Sequence, residues 1–164
     1  NKSQLNWLSN SLVFLKETEG VLPTAMVSIP TTSPLRLATD IDACITAFHQ
    51  GDWDAIITVT TAQRNPYFNM VSIEPSGEVN IAVNSSPKYV RRQDAPQLYD
   101  ICTVAYVARS EFVLESESLW DGRVGAVLIP QERSLDIDTP FDLKLARLLL
   151  GDQMSQDKDP RTPT

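Results

Sequence analysis

Helical and strand-like spacings of hydrophobic residues alternate over the first 60 positions of the chain. Leucines recur every three or four residues between positions 5 and 15, which predicts an amphipathic helix that stops at Gly20. A second helical segment begins near Thr39 and has Gly51 after its end. Apolar and β-branched runs at 25–29 and 54–60 predict two buried strands. This order is that of a βαβ unit with a right-handed connection.

The rest of the pattern predicts a hairpin, two more strands and two more helices. The hairpin strands 70–73 and 79–83 flank a turn-forming sequence at 74–77. Further strands are expected at 101–108 and 124–129, and helices at 111–115 and about 140–150. Polar residues and prolines dominate from 151 to 164, which predicts a disordered tail.

These elements predict an α/β fold with a mainly parallel sheet, helices on both of its faces and an antiparallel hairpin excursion. With 164 residues, 42% of them hydrophobic, the chain can bury one core, so residues 1–150 are expected to form a single domain. Ligands of such sheets bind beyond the carboxyl ends of the strands. The loops 30–36, 61–67 and 132–138 follow predicted strands and are therefore candidates to share one cleft.

Charge and cysteine content argue against several classes of protein. A formal net charge of −7 gives no basic field for nucleic acid, although a metal ion and a few arginines could still neutralise a nucleotide substrate. Cys44 and Cys102 are far apart and His49 is the single histidine, so neither a disulfide framework nor a structural zinc site is expected. No apolar run reaches the roughly 20 residues that a membrane span needs. We therefore expect a cytoplasmic protein with reduced, buried thiols and with no nucleic-acid or membrane partner.

Two aspartates, Asp136 and Asp138, stand directly before the last predicted helix. On extended backbone, residues two apart face the same side at about 6–7 Å, and two such carboxylates could hold Mg²⁺ together with phosphate oxygens. The helix needs neither of them, because Thr139 can act as its N-cap and Asp142 adds negative charge to its first turn. The alternative is a solvated strand end, since the pattern Asp-x-Asp is common.

Hydroxyl groups and arginines supply further candidate binding residues. The loop 30–36 combines Ser33 and Arg36 with two prolines, although a rigid turn with a surface arginine has the same composition. Arg91 and Arg92 could bind a carboxylate or phosphate bidentately, or belong to a solvated turn.

Two more residues have an open role. Arg133 could hold an anion beside a metal ion or pair with Asp136. Tyr106, on an apolar strand, is by default a core residue whose hydroxyl finds a partner. With one histidine and no nucleophile placed beside a base, nothing supports a hydrolytic triad.

Several motifs occur together in one order along the chain. They are Pro-Thr-Thr-Ser-Pro-Leu-Arg (30–36) followed by Asp-Ile-Asp (40–42), Asn-Pro-Tyr (65–67), Arg-Arg-Gln-Asp (91–94) and Glu-Arg-Ser-Leu-Asp-Ile-Asp-Thr-Pro-Phe-Asp (132–142). In this order and spacing the chain resembles the acylneuraminate cytidylyltransferases, the CMP-sialic acid synthetase family, from about residue 3 to 150. Each motif alone is weak, but the ordered set is strongly specific.

The resemblance implies a Rossmann-like nucleotidyltransferase sheet, Mg²⁺ as cofactor, and CTP and a 2-keto sugar acid as substrates. The sugar acid would be sialic acid or a related nonulosonic acid. Its anomeric hydroxyl would attack the α-phosphate of CTP and release pyrophosphate. The resemblance also implies a homodimer formed through the region 70–108.

The family's site residues carry over by motif. Asp136 and Asp138 match its catalytic, metal-binding aspartates. Arg92 matches a sugar-site arginine, and Tyr106 matches a sugar-site tyrosine on the next strand. The other residues expected to bind substrate are Ser33, Arg36, Gln93 and Arg133.

The chain also departs from the family's pattern. Pro30 stands where the family usually has glutamine, and Cys102-Thr103 where it has Asn-Gly, so the acceptor could be a different sugar acid. The family's opening strand and glycine-rich CTP loop have no counterpart here. This predicts an N-terminally truncated fold, with Lys2-Ser3 as the last remnant of the nucleotide site and no activity of the chain alone. The alternative is a non-catalytic sugar-acid-binding or dimerisation module.

Overall fold

A computed structural model shows four α-helices and six strands in the part of the chain that it describes. It describes residues 2–86 and 89–156, and the side chains of 8–86 and 89–151. The helices are α1 (Lys2–Glu19), α2 (Ala38–Gln50), α3 (Ser110–Glu115) and α4 (Pro140–Gln156). The strands are β1 (Ala25–Ser28), β2 (Ala55–Thr61), β3 (Val71–Ile73), β4 (Val79–Ile81), β5 (Tyr99–Arg109) and β6 (Val124–Leu128). Every helix and strand predicted from the sequence is present.

The main sheet has the strand order β1-β5-β2-β6. β2 and β6 pair in parallel, with Ala55 opposite Val124, whereas β1 and β5 pair antiparallel, with Ser28 opposite Tyr106. The predicted α/β class is confirmed. However, β1 and β2 are not neighbours, because β5, which comes from a distant part of the chain, is inserted between them.

Helices cover both faces of this sheet. On one face, Leu12 of α1 and Phe112 of α3 pack in a cluster with Ala55 and Ala108. On the other face, Cys44 and Phe48 of α2 pack in a cluster with Ile56 and Val107. Adjacent residues of a strand point to opposite faces, so positions 55 and 56 of β2 divide between the two clusters.

Two helix boundaries differ from those that the sequence predicts. α2 begins at Ala38 instead of Thr39, and the Asp40 carboxylate accepts a hydrogen bond from the Leu37 backbone nitrogen at 2.9 Å. α4 continues to Gln156, so helix replaces the predicted disorder over 151–156. The next proline is Pro160, and hence backbone hydrogen bonds can continue through this stretch. The rest of the predicted tail, 157–164, lies outside the described residues.

The chain divides into two compact units. The first combines residues 1–59 and 101–164 and contains all four helices, and the second is Thr60–Asp100. The second unit holds the predicted hairpin, in which Val71 pairs with Ile81 and Gly77 adopts a positive φ of 86° in the turn. None of the described helices is both long and apolar enough to cross a membrane. The prediction that residues 1–150 form one domain stays a prediction.

Candidate functional site

The Asp136–Asp138 pair lies on irregular chain between a 3₁₀ turn (Gln131–Arg133) and α4. The Oδ1 atom of Asp136 is buried and has no hydrogen-bond partner among the described residues. Asp138 is exposed. A buried carboxylate oxygen without a partner is rare in folded proteins. It is the feature expected of an oxygen that ligates a metal cation.

The start of α4 uses neither of these two carboxylates. Thr139 Oγ1 accepts a hydrogen bond from the Asp142 backbone nitrogen at 3.3 Å, and Asp142 Oδ2 accepts one from the Thr139 backbone nitrogen at 2.8 Å. This reciprocal arrangement is a capping box. The Thr139 hydroxyl, through its hydrogen bond, keeps the pKa of Asp142 below its usual value. The predicted N-cap is therefore formed, and Asp136 remains without a role in the helix.

Two of the three loops predicted to share a cleft are joined directly. The backbone nitrogen of Ile137 donates to the carbonyl oxygen of Thr32 at 2.9 Å, which links the segment 132–138 to the loop 30–36. The third loop, 61–67, belongs to the second unit, and its place in such a cleft stays a prediction.

Arg133 pairs with Asp40 and not with Asp136. Its Nε and Nη2 atoms donate to the Asp40 Oδ2 and Oδ1 atoms at 2.9 and 2.8 Å. Asp40 is 4% exposed, and these hydrogen bonds lower its pKa. The Asp40 partner lies 93 positions away in the sequence, so no local pattern could have revealed the pair.

Ser33 and Arg36 of the loop after β1 both bind β5. Ser33 is fully buried, and its Oγ lies 2.8 Å from Thr103 Oγ1. Arg36 Nη1 donates to the Val104 carbonyl oxygen at 3.0 Å. These contacts fix the loop, and Thr103 is a residue that the sequence singled out only as a departure from the family pattern.

Tyr106 is half-buried on β5, and burial is the main cause of its raised pKa. Electrostatic interactions with Cys102 and, to a smaller extent, Asp136 add to this increase in the pKa of Tyr106. The tyrosine also lines a mainly apolar cavity of about 250 Å³. The residues around this cavity are Leu8, Ser28, Pro30, Ala55, Ile56, Thr103, Tyr106, Val107, Ala108 and Leu119. Both positions at which the chain departs from the family pattern, 30 and 102–103, thus contribute to or adjoin this cavity.

Within the second unit, Arg92 begins a 3₁₀ turn (Arg92–Asp94), in which Gln93 is exposed. Arg92 Nη2 donates to the carbonyl oxygens of Ala62 and Gln63 at 3.1 and 3.0 Å. The same arginine lines a polar cavity of about 220 Å³ together with Arg64 and Asn65. The side chains of Lys2 and Ser3, predicted as the last remnant of the nucleotide site, lie outside the described residues.

The residues present fit a hard divalent cation. Carboxylate oxygens are the ligands that Mg²⁺ prefers, and one of those of Asp136 is free of protein donors among the described residues. The described part of the chain has no cluster of three or more His, Cys, Asp or Glu side chains that could hold a metal ion. A site built from Asp136 and Asp138 would thus take its remaining ligands from water and substrate, as Mg²⁺ sites commonly do.

Comparisons with known proteins place these features in context. No family model matches the chain. It is 27% identical over 134 residues to the post-translational flagellin modification protein B of Campylobacter coli, covering 82% of this chain and 56% of that protein. It is 29% identical over 104 residues to the CMP-N,N'-diacetyllegionaminic acid synthase of Campylobacter jejuni, covering 63% of this chain and 43% of that protein. The match to the N-acylneuraminate cytidylyltransferase of Streptococcus agalactiae is 27% over 116 residues, or 71% of this chain and 28% of that protein. The chain thus spans about half, or less, of the length of these curated relatives.

Solved structures support the same fold. The chain matches CMP:2-keto-3-deoxy-manno-octonic acid synthetase, solved in complex with CTP, with a TM-score of 0.56, 13% identity, and coverage of 88% of this chain and 68% of that one. It matches the 4-diphosphocytidyl-2C-methyl-D-erythritol synthase of Anaerococcus prevotii with a TM-score of 0.54, 14% identity, and coverage of 84% and 64%. The fold is that of these two nucleotidyltransferases, and in sequence the chain is similar to members of the acylneuraminate cytidylyltransferase (CMP-sialic acid synthetase) family.

Proposed function

We propose that this chain provides the metal-binding and sugar-acid-binding part of a CMP-sugar synthetase. In the reaction, the anomeric hydroxyl oxygen of a 2-keto sugar acid bonds to the α-phosphorus of CTP. The bond between the α-phosphorus and the bridging oxygen breaks, pyrophosphate leaves, and the hydroxyl loses its proton. The products are a CMP-sugar acid and pyrophosphate.

The unpartnered carboxylate oxygen of Asp136 carries this proposal. Folding leaves that oxygen desolvated with no donor among the described residues, which is unfavourable unless a cation occupies the site. Asp136 and Asp138 would hold Mg²⁺, and a bound Mg²⁺ supplies positive charge that offsets the charge of the triphosphate. The same order of carboxylates before a capped helix is part of the family resemblance.

The acceptor is proposed to be a nonulosonic acid. Tyr106 borders the mainly apolar cavity of about 250 Å³, as does Thr103, whose hydroxyl is hydrogen-bonded to that of Ser33. Such a lining suits a sugar acid that carries acyl or deoxy groups better than one with hydroxyls throughout. Within the second unit, Arg92 and Arg64 line a separate polar cavity, and a guanidinium group has the fork geometry that binds a carboxylate.

A non-catalytic module remains the second candidate. The cavities lined by Tyr106 and by Arg92 favour it, because binding in either cavity does not by itself require the transfer of CMP. In this case the chain would bind a sugar acid, or form dimers through the region 70–108, without transferring CMP. Size-exclusion chromatography with light scattering tests the homodimer directly.

The test combines gene sequence with an assay. The genomic sequence upstream of Asn1 is read first, and any in-frame extension is included in the expressed protein. The protein is then incubated with CTP, Mg²⁺ and each of a panel of nonulosonic and eight-carbon 2-keto sugar acids, and pyrophosphate release is measured. We expect release with at least one nonulosonic acid.

Variants show whether the two aspartates are responsible. Asp136→Asn and Asp138→Asn should each reduce the rate by at least about 100-fold, as is typical for the loss of transition-state charge stabilisation. Asp52→Asn is the matched control, because Asp52 is an exposed aspartate that pairs with Arg123. Wild-type turnover by both site variants would refute the metal assignment. Sugar-acid binding without any pyrophosphate release would support the module.

A further inference from the structure

Arg133 and Asp40 form a bidentate ion pair at the entrance to the segment that carries Asp136. The Asp40 carboxylate accepts hydrogen bonds from Arg133 Nε and Nη2 at 2.9 and 2.8 Å, and one from the Leu37 backbone nitrogen at 2.9 Å. It lies in the first turn of α2, where the helix dipole also favours a negative charge. The carboxylate is therefore held by a rigid helix, and it holds Arg133 in turn.

A second anchor follows on the other side of Asp136. The Ile137 backbone nitrogen donates to the Thr32 carbonyl oxygen at 2.9 Å. Between the two anchors the chain belongs to no helix or strand, and its Ser134 backbone nitrogen closes the preceding 3₁₀ turn by donating to the Gln131 carbonyl oxygen at 3.2 Å. Asp136 is thus the residue that the two anchors bracket, three positions after Arg133 and one before Ile137.

We propose that Asp40 and Arg133 are positioning residues whose ion pair fixes Asp136 against the loop 30–36, in the orientation that binds a divalent cation. The assignment of a cation to Asp136 rests on the proposed function. The fixing of the segment 134–138 by the ion pair is independent of it. In this role, the two side chains bind one another and would not touch the reacting groups. Arg133 would therefore act through Asp136 and not as the substrate-binding residue that the sequence predicts.

The geometry of the guanidinium is essential to this role. Two parallel N–H···O bonds define both the position and the rotation of the arginine, whereas a lysine ammonium is a point charge that defines neither. Arg133→Lys thus keeps the charge beside Asp40 but loses the fork. Asp40→Asn keeps the shape of the side chain and loses the charge.

Metal affinity is the first readout, with Mn²⁺ as the probe. Mn²⁺ binding to wild type, Arg133→Lys and Asp40→Asn is titrated by electron paramagnetic resonance. We expect both variants to bind Mn²⁺ about tenfold or more weakly, the usual effect of removing a partner that orients a metal ligand. The matched control is Arg123→Lys, since Arg123 forms an ion pair with Asp52 before β6, at the end of that strand remote from the segment. Its affinity should equal that of wild type.

Amide hydrogen exchange without metal is the second readout. In both site variants, exchange in a peptide covering 134–138 should accelerate, whereas exchange in β2 should not change. The β2 peptide reports whether the variant is folded as a whole, and it separates local release from general destabilisation. In Arg123→Lys, both peptides should exchange as in wild type.

The two readouts distinguish the failure of this proposal from the failure of the proposed function. If wild type binds no Mn²⁺, the metal site is wrong, while faster exchange at 134–138 still supports the fixing of the segment. Unchanged exchange at 134–138 in both variants overturns the positioning role, whatever the metal affinity. So does exchange that rises equally in β2, because the pair would then stabilise only the fold.

Discussion

The hydroxyl groups of Ser33 and Thr103 lie 2.8 Å apart and connect the loop after β1 to β5. Ser33 is fully buried, so its hydroxyl has little access to water as a substitute partner. Through this hydrogen bond, the loop that contacts Ile137 takes its position from β5. The hydrogen bond therefore stabilises the candidate site as well as the fold.

Removing either hydroxyl should destabilise the protein. Ser33→Ala and Thr103→Val should each lower the free energy of unfolding by about 1 kcal/mol, since each leaves the other hydroxyl without its partner. The double variant should lose less than the sum of the two, because the second substitution removes the orphaned group. Urea unfolding of all four proteins measures this coupling.

An exposed hydroxyl serves as the control for that cycle. Thr18 Oγ1 donates to the Phe14 carbonyl oxygen within α1 at 2.7 Å and is exposed. Thr18→Ala should change the free energy of unfolding by less than about 0.5 kcal/mol and show no coupling to Ser33→Ala. Strict additivity of Ser33→Ala with Thr103→Val would mean that their hydrogen bond contributes nothing.

Local rules explain which features the sequence could predict. The cap of α4 depends on Thr139 and Asp142, which are three residues apart, so the local sequence is enough to predict it. The apolar face of α2 with Cys44 and Phe48 follows in the same way from helical spacing. Both features form within one element and need no information about the rest of the fold.

Long-range contacts explain what the sequence could not show. The insertion of β5 between β1 and β2 depends on strands far apart in sequence, and several strand orders satisfy the same hydrophobic pattern. Arg133 has an aspartate three residues away but binds one 93 positions away, because the fold brings the start of α2 beside the 3₁₀ turn that carries Arg133. A residue type can indicate an ion pair, whereas the partner is decided by tertiary structure.

Stability at acidic pH should depend on Asp40. Hydrogen bonding to Arg133 lowers the pKa of the folded-state carboxyl below its ordinary value of 3.8. A group with a lowered folded pKa stabilises the protein fully above its unfolded pKa, and this contribution disappears as pH falls through the folded pKa. As the pH is lowered below about 4, we expect the urea concentration at the unfolding midpoint of wild type to decrease. The midpoint of Asp40→Asn should decrease less steeply over the same range.

The measurement compares the two proteins at several pH values between 3 and 6. Asp142, whose pKa is also lowered, contributes to the acid loss in both, so the difference between the two curves isolates Asp40. Parallel curves over this range would show that Asp40 is not perturbed in the folded protein.

Both thiols should resist modification in the folded protein. Cys44 and Cys102 are free and buried, as the sequence predicts. Burial raises the pKa of Cys44 to about 11 and also raises that of Cys102. At pH 8 we expect labelling by a disulfide reagent to be at least about 100-fold slower in native than in urea-unfolded protein, because thiolate is scarce and access is blocked. Rapid labelling of either cysteine in the native protein, located by mass spectrometry, would contradict this.

Asp136 should destabilise the metal-free protein and stabilise the metal-bound one. Its buried Oδ1 has no partner among the described residues, so Asp136→Asn removes a desolvated charge and should raise the free energy of unfolding by about 1 kcal/mol. Asp138 is exposed, and Asp138→Asn should have almost no effect on the free energy of unfolding without metal.

Added Mn²⁺ should raise the melting temperature of wild type, because a ligand that binds only the folded state stabilises it. It should raise the melting temperature of Asp136→Asn only slightly. Thermal unfolding of wild type and the two variants, with and without Mn²⁺, measures both effects. If the Asp136→Asn variant without metal were less stable than wild type, the carboxylate would already have a partner in the fold. That result would contradict the assignment of Asp136 as a metal ligand.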